Sequence, residues 1–257
     1  MGILNVTPDS FFAGSRVNNE ADILSKAEAM IAAGATILDI GGYSSRPGAT
    51  DISEEEEIKR VTGPISAIRD QFPEVLISID TFHSRVAQAA VEAGAAIVND
   101  ISGGQIDPDM IPTVADLNCP YILMHMRGTP QNMSKNTNYE YLVKDLIKYF
   151  SERIALAKAA GIKDIILDPG FGFSKKVDQN YELLNKLELL HVLEHPVLVG
   201  VSRKSMIYKT LNCSPEDSLN GTTVLNTISL MKGAQILRVH DVKEAVEAVT
   251  LIEKLRV

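Results

Sequence analysis

Residues 20–42 read EADILSKAEAMIAAGATILDIGG, and this stretch decides the fold. Ala21, Leu24, Ala27 and Ile31 recur at steps of three and four, the spacing of one helix face. Gly34 follows where a helix terminator is expected. The pattern then changes. Residues 36–40 form a short β-rich run that is apolar nearly throughout, with no alternation between a wet and a dry face. Such runs suit parallel strands covered on both sides. The one charge in the run, Asp39, comes near its end.

The same unit recurs outward in both directions. Similar runs lie at residues 2–6, 75–79, 96–98, 121–124, 165–167, 197–201 and 235–239. Their starts are spaced by about 33 residues on average, the size of one strand–helix unit. Helical patterns fall between them at residues 86–93, 142–160, 218–232 and 242–255. Ser53-Glu54-Glu55-Glu56 opens a further helix as a capping box, running to about Gln71. Eight alternating units predict an α/β fold of the (β/α)8 barrel class, with residues 1–257 as one domain. A doubly wound sheet fits eight evenly spaced units less well.

Bulk properties narrow the function classes. The 257 residues carry 25 Lys+Arg against 33 Asp+Glu, a net charge of −8. A chain this acidic is expected to bind no nucleic acid, since phosphate neutralisation needs clustered cations. No apolar run approaches the ~20 residues of a membrane span, and no signal peptide is expected at the N-terminus. The two cysteines, Cys119 and Cys213, make no disulfide framework and fit a cytoplasmic setting.

Nearly every run ends in polar groups: Asn5, Asp39, Asp80, Asn99-Asp100, His125, Asp168, Ser202-Arg203-Lys204 and Arg238-His240. In a barrel these ends gather at the C-terminal rim, where active sites are built. Helix caps explain a single Asp or Asn, but they do not explain Lys, Arg and His as well. Asp80, Asn99 and Asp168 suit a flat heterocycle presenting several N–H donors. The glycines of residues 168–173 (DPGFGF) let backbone approach such a ring, with Phe171 or Phe173 lining it. Ser202-Arg203-Lys204-Ser205 lacks the P-loop glycines, yet ends a strand in two cations. Arg238 and His240 fall on one side by alternation, beside the start of the last helix, which suits a phosphate. The spacing offers no zinc cage. Asn5 is a neutral oxygen ligand of the kind that suits Mg2+ held mostly by water and a phosphorylated substrate. The loops at residues 7–19 and 41–51 are long and read as lids.

These segments resemble the signatures of the dihydropteroate synthase family. They are residues 5–11 (NVTPDSF), 39–42 (DIGG) with 45–48 (SRPG), 79–81 (IDT), 99–101 (NDI), 168–173, 202–205 (SRKS) and 238–241 (RVHD), in the family's order. The resemblance implies a (β/α)8 enzyme of folate biosynthesis and a sulfonamide target. It would join 4-aminobenzoate to 6-hydroxymethyl-7,8-dihydropterin diphosphate, releasing diphosphate. Carried over by motif, Asn5 would ligate Mg2+, and Asp80, Asn99, Asp168 and Lys204 would hold the pterin, with Phe173 beside it. Ser45, Arg238 and His240 would meet the diphosphate, and Ser202 and Arg46 would lie near the 4-aminobenzoate. Asp80, Lys204, Arg238 and His240 would carry the catalysis, chiefly by electrostatics.

The family forms dimers through C-terminal helices, and Leu225, Ile228, Leu230 and Met231 are the corresponding candidates for a homodimer. Family members usually carry additional chain ahead of the first strand. Three positions depart from the pattern. Tyr43 stands for a frequent Glu, Ser45 for Thr, and Ala13 falls where the first lid often has Asp. A methyltetrahydrofolate-type methyltransferase or a catalytically weak pterin-binding paralogue are the alternatives. The first would not need the Arg238–His240 corner.

Overall fold

A computed structural model describes residues 1–6, 16–43 and 52–255 of the chain. Among them, eight strands alternate with helices. The strands are β1 (Gly2–Asn5), β2 (Ile37–Gly41), β3 (Leu76–Asp80), β4 (Ile97–Asp100), β5 (Tyr121–Met124), β6 (Ile165–Asp168), β7 (Leu198–Val199) and β8 (Ile236–Leu237). β1 to β6 form one parallel sheet in chain order, and β7 pairs with β8. Parallel bridges join Leu167 to Val197 and Gly2 to Val239, and Ile3 N donates to Val239 O at 2.9 Å. The strands therefore run round in a ring, the (β/α)8 barrel that the sequence predicts.

The inner wall has two layers. Ile37, Ile97, Ile122, Ile166, Leu198 and Ile236 pack with Met1 as an apolar plug. Two residues further along those strands, on the same face, stand Asp39, Asn99, Met124, Asp168, Gly200 and Arg238. The plug is apolar, and the layer above it is polar or bare except for Met124. The outward residues Leu38, Ile40, Ile79, Val98, Leu123, Leu167 and Val199 pack against the helices in the main core. That double burial is why the strands read as apolar throughout.

The helices are α1 (Arg16–Ala32), α2 (Glu54–Gln71), α3 (Ser84–Ala93), α4 (Met110–Leu117), α5 (Leu142–Ala160), α6 (Val177–Asn185), α7 (Ser205–Leu211), α8 (Leu219–Met231) and α9 (Val242–Leu255). Ser53 caps α2 as its sequence predicts, its Oγ accepting from Glu56 N at 3.3 Å. α1 begins at Arg16, ahead of the expected Glu20. α4, α6 and α7 have 8, 9 and 7 residues, too short for a decisive apolar period, and α4 also carries Pro112 in its first turn.

The last two strands are shorter than residues 197–201 and 235–239. The Gln235 side chain takes Val197 N at 2.7 Å, a donor that a ladder would otherwise use. The turn into α7 already starts at Val201, whose carbonyl accepts from Lys204 N at 3.1 Å. Ser45, Arg46, Ala13 and most of both expected lids lie outside the described residues. No helix among the described residues is long and apolar enough to cross a membrane.

Candidate active site

The polar layer is knit together by one guanidinium. Arg238, at the end of β8, donates Nε to Asp39 Oδ2 and Nη2 to Asp80 Oδ2, both at 2.6 Å. Asp39 is fully buried in the middle of β2, on its inner face. It also accepts from Asn99 Nδ2 at 3.3 and 3.1 Å. Three of the expected residues, Asp80, Asn99 and Arg238, are thus brought together through Asp39, a strand residue with no ligand role among the expectations. The available signal was an acid on the inner face of an otherwise apolar strand.

Burial raises the Asp80 carboxyl to about 7, with Arg238 opposing and Asp39 reinforcing the rise. For Arg238, burial works against the charge, but Asp39 and Asp80 outweigh it and hold the guanidinium above its ordinary value.

Across the mouth stand Asp168 and Lys204. Asp168, ending β6, accepts from Gly170 N at 2.7 Å. Burial raises its carboxyl, and the Lys204 charge opposes this. Lys204 caps the start of α7, and its Nζ donates to Phe171 O and lies 4.8 Å over the Phe173 ring. Burial lowers its ammonium to about 8 against the pull of Asp168. Gly200 lies between Lys204 and Arg238. A Cβ there would touch both Arg238 Cβ at 3.7 Å and Lys204 Nζ at 3.9 Å.

The two phenylalanines of residues 168–173 part company. Phe171 is core, whereas Phe173 joins a rim cluster of Tyr43, Phe82, Ile101, Met124, Met126 and Met133. Tyr43 packs edge-on against Phe82 at 5.0 Å and accepts a hydrogen bond from Gln131 Nε2 at 2.9 Å. The departure from Glu here exchanges a charge for an apolar wall and a bridge to the loop after β5. Gly170, at φ +69, makes the DPGFGF turn possible, since a Cβ would collide with the His125 carbonyl.

Ser202 and His240 form a separate pair. Ser202 Oγ accepts from the His240 backbone N–H at 3.1 Å and lies 3.0 Å from Nδ1. A hydroxyl that accepts from the backbone still has its own proton to give to Nδ1, which assigns the ring proton to Nε2. Ser202, expected near the 4-aminobenzoate, is therefore engaged with the residue expected at the diphosphate. Arg203 does not face the barrel mouth. Its side chain grips Asp241 at 2.9 and 2.7 Å and the carbonyls of Pro215 and Glu216.

Two strand-end groups are structural. Asp100 points outward and binds the Tyr121 hydroxyl at 2.7 Å and the Ser102 backbone and hydroxyl. His125 is buried against Tyr149, with Nδ1 3.0 Å from Lys175 Nζ. Asn5 is half-buried at the end of β1, with Oδ1 3.5 Å from where a Gly41 Cβ would stand. An apolar cavity of about 280 Å³ at the opposite end of the barrel, lined by Met1, Ile37, Ile236 and Val242 among others, has none of this chemistry.

Residues 1–240 match the family model described as pterin binding enzyme. The dihydropteroate synthase of Escherichia coli strain K12 is 46% identical over 255 residues, covering 98% of this chain and 90% of that protein.

The chain belongs to the dihydropteroate synthase family of pterin-binding enzymes.

Solved members superpose closely. The Yersinia pestis dihydropteroate synthase with a sulfonamide drug complex matches at TM-score 0.93 and 45% identity, over 100% of this chain and 93% of that one. The Xanthomonas albilineans dihydropteroate synthase with 4-aminobenzoic acid matches at 0.92 and 38%, over 100% and 92%.

Arg238 is the counter-ion of two carboxylates, Asp39 and Asp80. Arg238→Ala leaves Asp39 buried and uncompensated, so it should cost about 3–5 kcal/mol of stability in urea unfolding. Unchanged stability would mean that the Arg238 contact does not offset the burial of Asp39.

Proposed function

We propose that the chain condenses 6-hydroxymethyl-7,8-dihydropterin diphosphate with 4-aminobenzoate, giving 7,8-dihydropteroate and diphosphate. The observation that carries this reading is the convergence of Asp80, Asn99, Asp168 and Lys204 on one barrel mouth with Arg238. Carboxylates and an amide there suit the N–H edge of a pterin, and a guanidinium suits a leaving diphosphate.

The reaction breaks the bond between the exocyclic CH2 and diphosphate oxygen, and the electron pair leaves with the diphosphate. The resulting positive charge delocalises into the pterin, where Asp80 and Asp168 favour it. Arg238 and the Nε2–H of His240 stabilise the departing anion. Lys204, held over Phe173, fixes one edge of the ring. The amine of 4-aminobenzoate then forms the new C–N bond and releases a proton. Ser45 and Arg46 are proposed at the diphosphate and 4-aminobenzoate sides, with Ser202 where the two meet. Sulfonamides would compete for the 4-aminobenzoate position.

Among the described residues, no group of three His, Cys, Asp or Glu is placed to hold a metal. The single neutral oxygen of Asn5 therefore fits Mg2+ only as one ligand among waters and diphosphate oxygens. When bound there, Mg2+ would neutralise charge on the leaving group. A cytoplasmic setting is proposed from the two unpaired cysteines, Cys119 and Cys213.

The deciding experiment supplies Mg2+, the pterin diphosphate and labelled 4-aminobenzoate. Labelled dihydropteroate should form, and Lys204→Ala should lower kcat/KM by about a hundredfold or more. A protein that binds pterin and yields no product would overturn the reading.

Asp80 sets a pH dependence. With its carboxyl raised to about 7, acidification returns a proton to it and removes an acceptor for the pterin. Pterin affinity, followed by fluorescence, should fall as pH drops through about 7, and Asp80→Asn should abolish that step.

A homodimer is proposed through α8. Leu225 and Leu230, two of the expected contact residues, are instead core, because that face of the helix covers the barrel. Val224 and Met231 are 49% and 69% exposed, and with half-buried Ile228 they form a stripe at i, i+4 and i+7. Light scattering should show a dimer that Val224→Glu with Met231→Glu converts to monomer. A wild-type monomer at micromolar concentration would remove the proposal.

A further inference from the structure

The two bonds of Arg238 are unequal in their surroundings. Nε is committed to Asp39, whose side chain is fully buried and also holds the Asn99 amide. Nη2 is committed to Asp80, whose side chain is 21% exposed at the strand end. The register sets the difference. Asp39 pairs with Ser78, and Asp80 pairs with Gly41, one inward step nearer the rim. Different nitrogens serve different carboxylates, so one bond can open while the other persists.

A pterin would engage only one of these carboxylates. Asp80 reaches the mouth, so its oxygens are the ones a ring N–H would claim. Asp39 lies beneath, held by Arg238 and Asn99. As Asp80 turns its acceptors to the ring, Nη2 loses its partner, while the Asp39 bond still holds the guanidinium by its root. A buried donor without a partner is costly, and a diphosphate oxygen is the strongest acceptor that the site would offer.

We propose that Asp39 is a positioning residue that makes Arg238 transferable: pterin binding hands Nη2 from Asp80 to the diphosphate, while Asp39 keeps the guanidinium in place. The inference rests on the proposed function and deepens it. It makes the two halves of the site cooperative. A pterin without phosphate is neutral, so it adds no positive charge. A gain in anion affinity on its binding has to come through a shared protein group. Linkage makes the effect reciprocal, so diphosphate tightens the pterin by the same factor. Removing the Asp80 charge beforehand should mimic the pterin.

The test titrates inorganic diphosphate, in magnesium buffer, into the whole protein with and without saturating 6-hydroxymethylpterin. Calorimetry should show the diphosphate Kd tightening on the order of tenfold with pterin present. Asp80→Asn should tighten diphosphate without any pterin and lose most of the pterin effect. Asp39→Asn, checked for folding by circular dichroism, should weaken diphosphate and reduce the coupling to less than about twofold. Equal diphosphate Kd values with and without pterin in the wild type would overturn the inference, and this arm needs no variant. Intact coupling in folded Asp39→Asn would overturn the role of Asp39. Failure of the wild type to bind pterin at all would remove the proposed function itself. Pterin binding without coupling removes only the transfer.

Discussion

A guanidinium closed between two carboxylates in a barrel mouth governs this molecule. Arg238, Asp39 and Asp80 come from β8, β2 and β3, and none of them would be tolerated there alone. Each charge is admitted because the others are present. The triad also costs stability relative to an apolar plug, since buried ion pairs seldom repay their desolvation in full. The cost falls where the chemistry is, directly above a ring of isoleucines and leucine that could have continued upward. The barrel gives up packing in its upper layer and gains a preorganised polar surface.

That surface is preorganised in the sense needed to stabilise a leaving anion. Its cations are held before any ligand arrives, by Asp39 and Asp80 on one side and by Asp168 and the Phe171 carbonyl on the other. Little reorganisation remains for the moment of bond breaking. The apolar rim around Phe173 and Tyr43 complements this by presenting ring faces instead of further charges. A flat, electron-rich heterocycle of the proposed kind would meet carboxylates at its edge and hydrocarbon on its face.

Much of this was legible in the chain, for an identifiable reason. Strand period and barrel geometry together send every second residue inward, so a polar residue closing an apolar run lands at the mouth. Asp80, Asn99, Asp168 and Arg238 were readable on that logic alone, and Lys204, past the turn at Val201, from the two cations that follow the seventh run. The role of Asp39 was not, because it depends on a contact spanning 199 positions of sequence that no local pattern records. His125 and Asp100 satisfied the same rule at their strand ends yet serve the core, since a strand-end side chain can also face outward. On α8, apolar residues occur on both sides of the helix, with Leu225 and Leu230 turned to the barrel and Val224 and Met231 turned away from it. Periodicity says that a face exists but not which face the barrel covers.

Arg203 carries a different kind of weight. It adopts φ +53, a left-handed backbone that a residue with a Cβ resists, and glycine would sit there more easily. The arginine persists because its side chain ties the end of β7 to Asp241 at the start of α9. The segment it fastens carries Ser202 and Lys204 on either side, and Asp241 follows His240 directly. Here the easier backbone and the needed side chain compete, and the side chain prevails. A chain drifting to glycine at this position would keep every group that faces the barrel mouth and lose the fastening that keeps two strand ends aligned. The alignment of the Ser202–His240 corner is thus stored in a residue that a census of ligand contacts would pass over.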